Sequence, residues 1–168
     1  FKLPLLLAVG MGLICSVIFA LILGIPTLRL RADYLAIVTI ATSEVFRYFM
    51  TTIGFASVTG GSNGLSQFGK EFWAMNPIPE GDYNLGFQTY RSDQLYVMLV
   101  GWLAIGLGAL ILTLLMRSPW GRVLKGIRED EDAVRSLGKN VFAYKLQALI
   151  IGGMFASVAG MIFVLNLS

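Results

Sequence analysis

Apolar and polar positions fall along this chain in long blocks rather than in short periods. Three stretches carry no charge at all: Leu3–Ile25 with 23 residues, Leu95–Met116 with 22 and Leu146–Leu167 with 22. A run of 18 or more apolar residues is long enough to cross a bilayer as a helix. A fourth run, Leu35–Ile53, is apolar but interrupted by Glu44 and Arg47. The pattern predicts an all-α, polytopic membrane bundle with about four spans, at about residues 3–25, 35–53, 95–116 and 146–167. Between them lie a Gly/Pro-rich segment, 54–94, and a charged island, 117–145. A signal peptide is the competing reading of the first run. It needs a basic start, a shorter core and a small-residue cleavage site, whereas only Lys2 is nearby and Gly24-Ile25-Pro26 is a poor site.

Composition agrees with the block pattern. The chain is 56% hydrophobic with mean hydropathy +0.73, against about 45–50% apolar residues in soluble domains. A single Cys, inside a run, excludes a disulfide framework, and the complete lack of His removes the commonest acid–base group and metal ligand. No metal site is expected. The 168 residues open on Phe1 and close on Ser168 directly after an apolar run, so a piece of a longer protein is expected.

Charge gives the orientation. If all four runs cross, Pro26–Asp33 shares a side with the island, and that side holds nine Lys/Arg: Arg29, Arg31, Arg117, Arg122, Lys125, Arg128, Arg135, Lys139 and Lys145. The other holds Lys2, Lys70 and Arg91. Cytoplasmic loops carry the Lys/Arg excess, which places the island inside and 54–94 outside. A helix broken in mid-membrane is the alternative reading of Pro26–Asp33.

The spans also differ as surfaces. In the last run Gly152, Ala156 and Gly160 recur at spacing four, with Gly153 and Ser157 one residue along. Small residues in register let helix backbones approach in lipid. In the second run Thr39, Ser43, Arg47 and Thr51 recur every four residues as one helical stripe, and Glu44 stands at i, i+3 from Arg47. An Arg at the bilayer centre costs about 2.5–3.5 kcal/mol. Such residues face the bundle interior or a water-filled path. The stripe is therefore either a translocation path or substrate contact, or else a buried structural pair or an Arg snorkelling outward.

The turn Thr59-Gly60-Gly61-Ser62-Asn63-Gly64 has backbone able to present N–H groups to an anion such as a carboxylate, but no Gly-Lys-Ser/Thr follows. A tight turn at a membrane surface is the plainer reading. Trp73, Tyr83, Phe87, Tyr90 and Tyr96 fit an interfacial aromatic belt.

The island reads as two short helices. Ser118 caps a first helix opening on Pro119 and running to about Ile127. The acids Glu129, Asp130, Glu131 and Asp132 open a second, Arg135 suits its last turn and Gly138 its C-cap. Ala133, Val134 and Leu137 give this helix an apolar side, for lipid headgroups or for a groove on a soluble partner. The acids count against an anionic lipid surface and favour a partner.

Several stretches together carry a family resemblance. They are Leu28-Arg29-Leu30-Arg31-Ala32-Asp33-Tyr34-Leu35-Ala36-Ile37-Val38-Thr39, the Thr59–Gly64 turn, Gly121-Arg122 through Ile127–Ala133, Leu137-Gly138-Lys139-Asn140-Val141, and Tyr144-Lys145-Leu146 with Ala159-Gly160. In this order the chain resembles the integral-membrane permease subunits of ABC importers for branched-chain and other neutral amino acids. The wording is nearest to cyanobacterial neutral amino-acid importers. The resemblance implies a bacterial plasma (inner) membrane protein forming a single permease domain over 1–168, with a cytoplasmic coupling helix for an ATPase subunit. Glu131-Asp132-Ala133…Gly138 looks like a loose EAA…G coupling pattern, with Asp132 where Ala is usual. Asp130, Glu131, Asp132, Ala133, Leu137 and Gly138 are its implied ATPase contacts. The expected path or substrate residues are Thr39, Ser43, Glu44, Arg47, Gly60, Gly61 and Asn63. The implied partners are a second permease subunit, two ABC ATPase subunits, an extracytoplasmic substrate-binding protein and membrane lipid, with no nucleic acid. No cofactor is expected on this chain, ATP and Mg belonging to the ATPase, and no catalytic residue is implied.

Other readings stay open on sequence. A urea or short-amide importer of the same family is not separated by Glu44, Arg47 or Gly60–Gly64. An ion-coupled secondary transporter would use Glu44 and Arg47 as a relay. An intramembrane enzyme is disfavoured by the lack of His and of paired groups at catalytic spacing.

Overall fold

The computed structural model describes residues 5–28, 32–52, 70–79, 81–84 and 89–166. Helix α1 spans Leu5–Thr27. It is built from an unbroken apolar run, and Pro26 in its last turn has no N–H to give the Ile22 carbonyl, a loss confined to the helix end. Thr27 closes the helix by donating its hydroxyl to the Leu23 carbonyl at 2.5 Å. Helix α2, Ala32–Thr51, lies against α1 through the Phe19 and Phe46 rings, 5.2 Å apart. A short helix α3, Lys70–Ala74, precedes an antiparallel hairpin of β1 (Asp82–Asn84) and β2 (Thr89–Arg91), in which Tyr83 faces Tyr90. Then come α4 (Ser92–Arg117), α5 (Pro119–Glu129), α6 (Glu131–Ser136) and α7 (Val141–Asn166).

Three helices are long and apolar enough to cross a membrane among the described residues: α1, α4 and α7. By length and composition this makes three apolar spans against the expected four. The run 35–53 folds as a helix, α2, but Glu44 and Arg47 together with Thr39, Thr42, Ser43 and Thr51 lower its apolar character below that of the other three. The three spans expose Leu, Ile, Phe and Val along most of their length, among them Ile14, Ile22, Leu103, Ile105, Leu114 and Phe163. In water so large an apolar surface would aggregate. In a bilayer it is the solvated side.

Helix α7 packs most extensively on α1. Gly153 meets Ser16 and Ala20, Gly24 meets Leu146 and Leu149, and the Ser157 hydroxyl donates to the Gly12 carbonyl at 3.5 Å. Low numbers on α1 therefore face high numbers on α7, and the two run antiparallel. Gly108 of α4 sits beside Phe155, and Gly101 beside Ile162, so α4 is also antiparallel to α7. The small residues at spacing four do make a helix contact, through the second set. Gly153 and Ser157 face α1, while the Gly152, Ala156 and Gly160 face is exposed and has no neighbour within reach of an added methyl at either glycine.

The ends of the bundle follow from this register. The C-termini of α1 and α4 and the N-terminus of α7 lie at one end, with α5 and α6. The N-termini of α1 and α4 and the C-terminus of α7 lie at the other. There Phe72 packs on Tyr96 at 4.8 Å and on Trp73 at 5.2 Å, so Trp73 and Tyr96 of the expected aromatic belt share one cluster. Phe87 lies outside the described residues. Asn76 accepts from the Ile78 amide at 3.0 Å and stiffens the Asn76–Pro79 loop.

Candidate functional site: the helical elbow and the polar stripe

The charged island folds as two capped helices. Ser118 is the N-cap of α5, its hydroxyl oxygen 3.5 Å from the Gly121 amide, with Pro119 in the first turn. The helix continues two residues past Ile127, to Glu129. Asp130 then ends α5 and caps α6, one carboxylate oxygen accepting from both the Asp132 and Ala133 amides at 3.0 Å. That placement satisfies two amides that a helix start otherwise leaves without a partner. At the far end Gly138 has φ +76°, the left-handed conformation that a helix stop favours in glycine, and its amide donates to the Arg135 carbonyl at 3.0 Å. Asn140 caps α7 in turn, accepting from the Ala143 amide at 3.1 Å.

The implied coupling residues divide into two groups by what they touch. Asp130 is engaged as a cap and Gly138 as a stop. Glu131 points at the foot of α7, with Lys145 Nζ 2.5 Å from one oxygen and Arg135 3.0 Å from the other. Asp132 is 91% exposed and pairs with Arg135 at 3.6 Å. Leu137 is 78% exposed and Ala133 is exposed. The apolar side expected from Ala133, Val134 and Leu137 is thus split. Val134 turns inward onto Gly126, while Ala133 and Leu137 face out. Ile127 of α5 and Val141 at the start of α7 are both buried.

The polar stripe lies on α2. Arg47 Nη2 stands 3.0 Å from Glu44 Oε2, and Arg47 Nε donates to the same oxygen at 3.1 Å. The pair is open, 67% exposed at Arg47 and 55% at Glu44, so within the described residues it is not a buried structural pair. The Arg47 guanidinium also lies 5.5 Å from the Tyr48 ring centre. Thr39 and Ser43 return their hydroxyls to the Ala36 and Ile40 carbonyls at 2.9 and 2.7 Å, which leaves no orphan donor in an apolar setting. Gly60, Gly61 and Asn63 lie outside the described residues. The structure does not bring the stripe and the elbow together; α1 and α7 stand between them. A mostly apolar groove of about 960 Å³ opens between α4 and α7 at the opposite end, with Tyr90, Gln94 and Asn166 on its wall, and includes none of the expected site residues. No group of three potential metal-binding side chains occurs among the described residues.

Residue-type reasoning missed three anchors. Trp120 donates its indole N–H to the Gln147 side-chain amide oxygen at 2.8 Å, and Lys145 holds Glu131. Gly121 is pressed on the chain at Met116, where an added methyl would sit 2.5 Å from backbone. The one signal for Lys145 is its place, the last charge before the apolar run. The Trp120–Gln147 bond joins positions 27 apart and leaves no local trace.

Antiparallel apolar spans joined by a short, doubly capped helical elbow define a multi-pass membrane protein. Comparison with known proteins specifies which. The family model described as "Branched-chain amino acid transport system / permease component" matches residues 2–168, and the chain belongs to that family. That family is one of transport components rather than enzymes. It is 38% identical over 154 residues to the high-affinity branched-chain amino acid transport system permease protein LivM of Escherichia coli, covering 84% of this chain and 35% of that protein. It is 26% identical over 167 residues to a probable branched-chain amino acid transport permease protein LivM of Methanocaldococcus jannaschii, covering 92% of this chain and 43% of that protein. The chain thus spans well under half the length of these relatives. No solved structure matches it.

Proposed function

We propose that the protein containing this chain is a permease subunit of an ATP-driven importer in the plasma membrane, and that it carries branched-chain or other neutral amino acids. The observation that supports this best is the elbow. A helix of six residues, Glu131–Ser136, is fixed at both ends by Asp130 and Gly138 and offers Asp132, Ala133 and Leu137 to a partner. The Lys/Arg excess at this end makes it cytoplasmic, where a separate ATPase subunit binds and hydrolyses ATP. A second permease subunit completes the path, and a substrate-binding protein delivers from the other side. The exposed stripe of Thr39, Ser43, Glu44 and Arg47 then faces the path rather than lipid, because an unburied charge pair in hydrocarbon is costly.

The test is reconstitution of the full-length protein with its candidate partner subunits, following uptake of labelled leucine, alanine and urea with and without ATP. ATP-dependent leucine or alanine uptake supports the reading. Urea uptake would move the substrate class. Uptake that ignores ATP and follows a proton or sodium gradient would replace it with ion-coupled transport.

A further inference from the structure

The geometry points to Glu131 as a positioning residue rather than a docking residue: through Lys145 it ties the exposed coupling helix α6 to the foot of α7, so that a push on α6 moves α7 and α1 as one body. This inference rests on the importer reading above. Its ground is where the two oxygens of Glu131 go. One holds Arg135 within α6, and the other meets Lys145 of α7, 14 residues away in sequence. Both partners of the Glu131–Lys145 pair are withdrawn, at 37% and 33% exposure, beside an Asp132 that is 91% exposed. The neighbouring carboxylate is thus the one open to a partner.

A second bond reinforces the same joint. Trp120 of α5 donates to Gln147, two residues beyond Lys145 on α7. The elbow is therefore held to α7 at two points, through side chains of both of its helices. From α7 the contact continues into α1 at Leu146 and Leu149 against Gly24, positions next to Lys145 and one turn beyond it. From α1 it reaches α2 through Phe19 and Phe46, and Phe46 stands next to Arg47 in the chain, between the two members of the Glu44–Arg47 pair. The contiguous path from α6 to the polar stripe runs through Glu131–Lys145, not along the backbone of α4. A charge-assisted bond suits such a joint, since it holds direction as well as distance.

The test uses the full-length permease assembled with its partner subunits in proteoliposomes. Three quantities are read: ATPase co-purification, ATP hydrolysis, and substrate imported per ATP. Lys145→Gln is expected to leave co-purification intact and to lower import per ATP by about fivefold, the factor carried by ~1 kcal/mol for an ion pair of this exposure. Lys145→Arg, which keeps the charge, is expected to restore the ratio. Glu131→Gln should match Lys145→Gln, and the double variant should be no worse than either alone, the signature of one shared interaction. Additive losses, or loss of co-purification in Glu131→Gln alone, would place Glu131 on the ATPase and overturn the inference while leaving the importer reading standing. A wild-type complex whose uptake ignores ATP would remove both together.

Discussion

Gly121 lies against the backbone of Met116 so closely that a Cβ built on it would stand 2.5 Å from both the Met116 Cα and its carbonyl oxygen. No rotamer relieves a clash with backbone. Gly121→Ala is therefore expected to open the angle between α4 and α5, at a cost of about 1–3 kcal/mol, the range of overpacked sites. Thermal unfolding of the full-length protein in detergent checks this, and an unchanged melting temperature would show that the elbow yields freely.

Asp130 holds two amides at the start of α6, and a six-residue helix has little other local support. Asp130→Ala should cost about 1 kcal/mol. Amide exchange at Asp132 and Ala133 should quicken, and Asp130→Asn, which keeps the accepting oxygen, should hold it near the starting rate.

Asp132 separates docking from folding. Its carboxylate is almost fully open and lies 3.6 Å from Arg135. Asp132→Lys should change stability by no more than about 0.5 kcal/mol, yet weaken co-purification of the ATPase. Undiminished co-purification would remove Asp132 from the interface.

Gly138 has the backbone that a β-branched residue adopts worst. Gly138→Val is expected to cost about 1–2 kcal/mol and to uncouple ATP hydrolysis from uptake by unwinding the end of α6. Gly138→Asn should be tolerated much better. Equal behaviour of the two variants would exclude a role for the left-handed turn.

Arg47 is far from the elbow and pairs along its own helix with Glu44. Arg47→Leu should lower uptake by about tenfold, the scale of one charge-assisted hydrogen bond left unmade, with ATPase docking unaltered. Wild-type uptake would reduce the polar stripe to a packing surface.

The sequence made the long blocks and the caps legible for local reasons. Ser118, Pro119, Asp130 and Gly138 act on backbone within three residues of themselves, so residue type and spacing suffice to place them. The count of apolar spans was less legible, because α2 has the length of a span but a mixed composition. The choice between the Gly152 and Gly153 faces of α7 was not legible, since both have the same spacing and only the partner helix decides. The inward turn of Glu131 was hidden for the same reason. Its partner, Lys145, lies beyond the next turn, and the acidic run around it gives each carboxylate the same local context.

The pairing of α1 with α7 sets a timetable for making the protein. Ser157 reaches Gly12 across 145 residues of chain. At about 5–20 residues per second, a ribosome takes roughly 7–30 s to supply the second half of that contact after the first. During the interval the glycine-bearing side of α1 waits in the membrane without the neighbour it is shaped for.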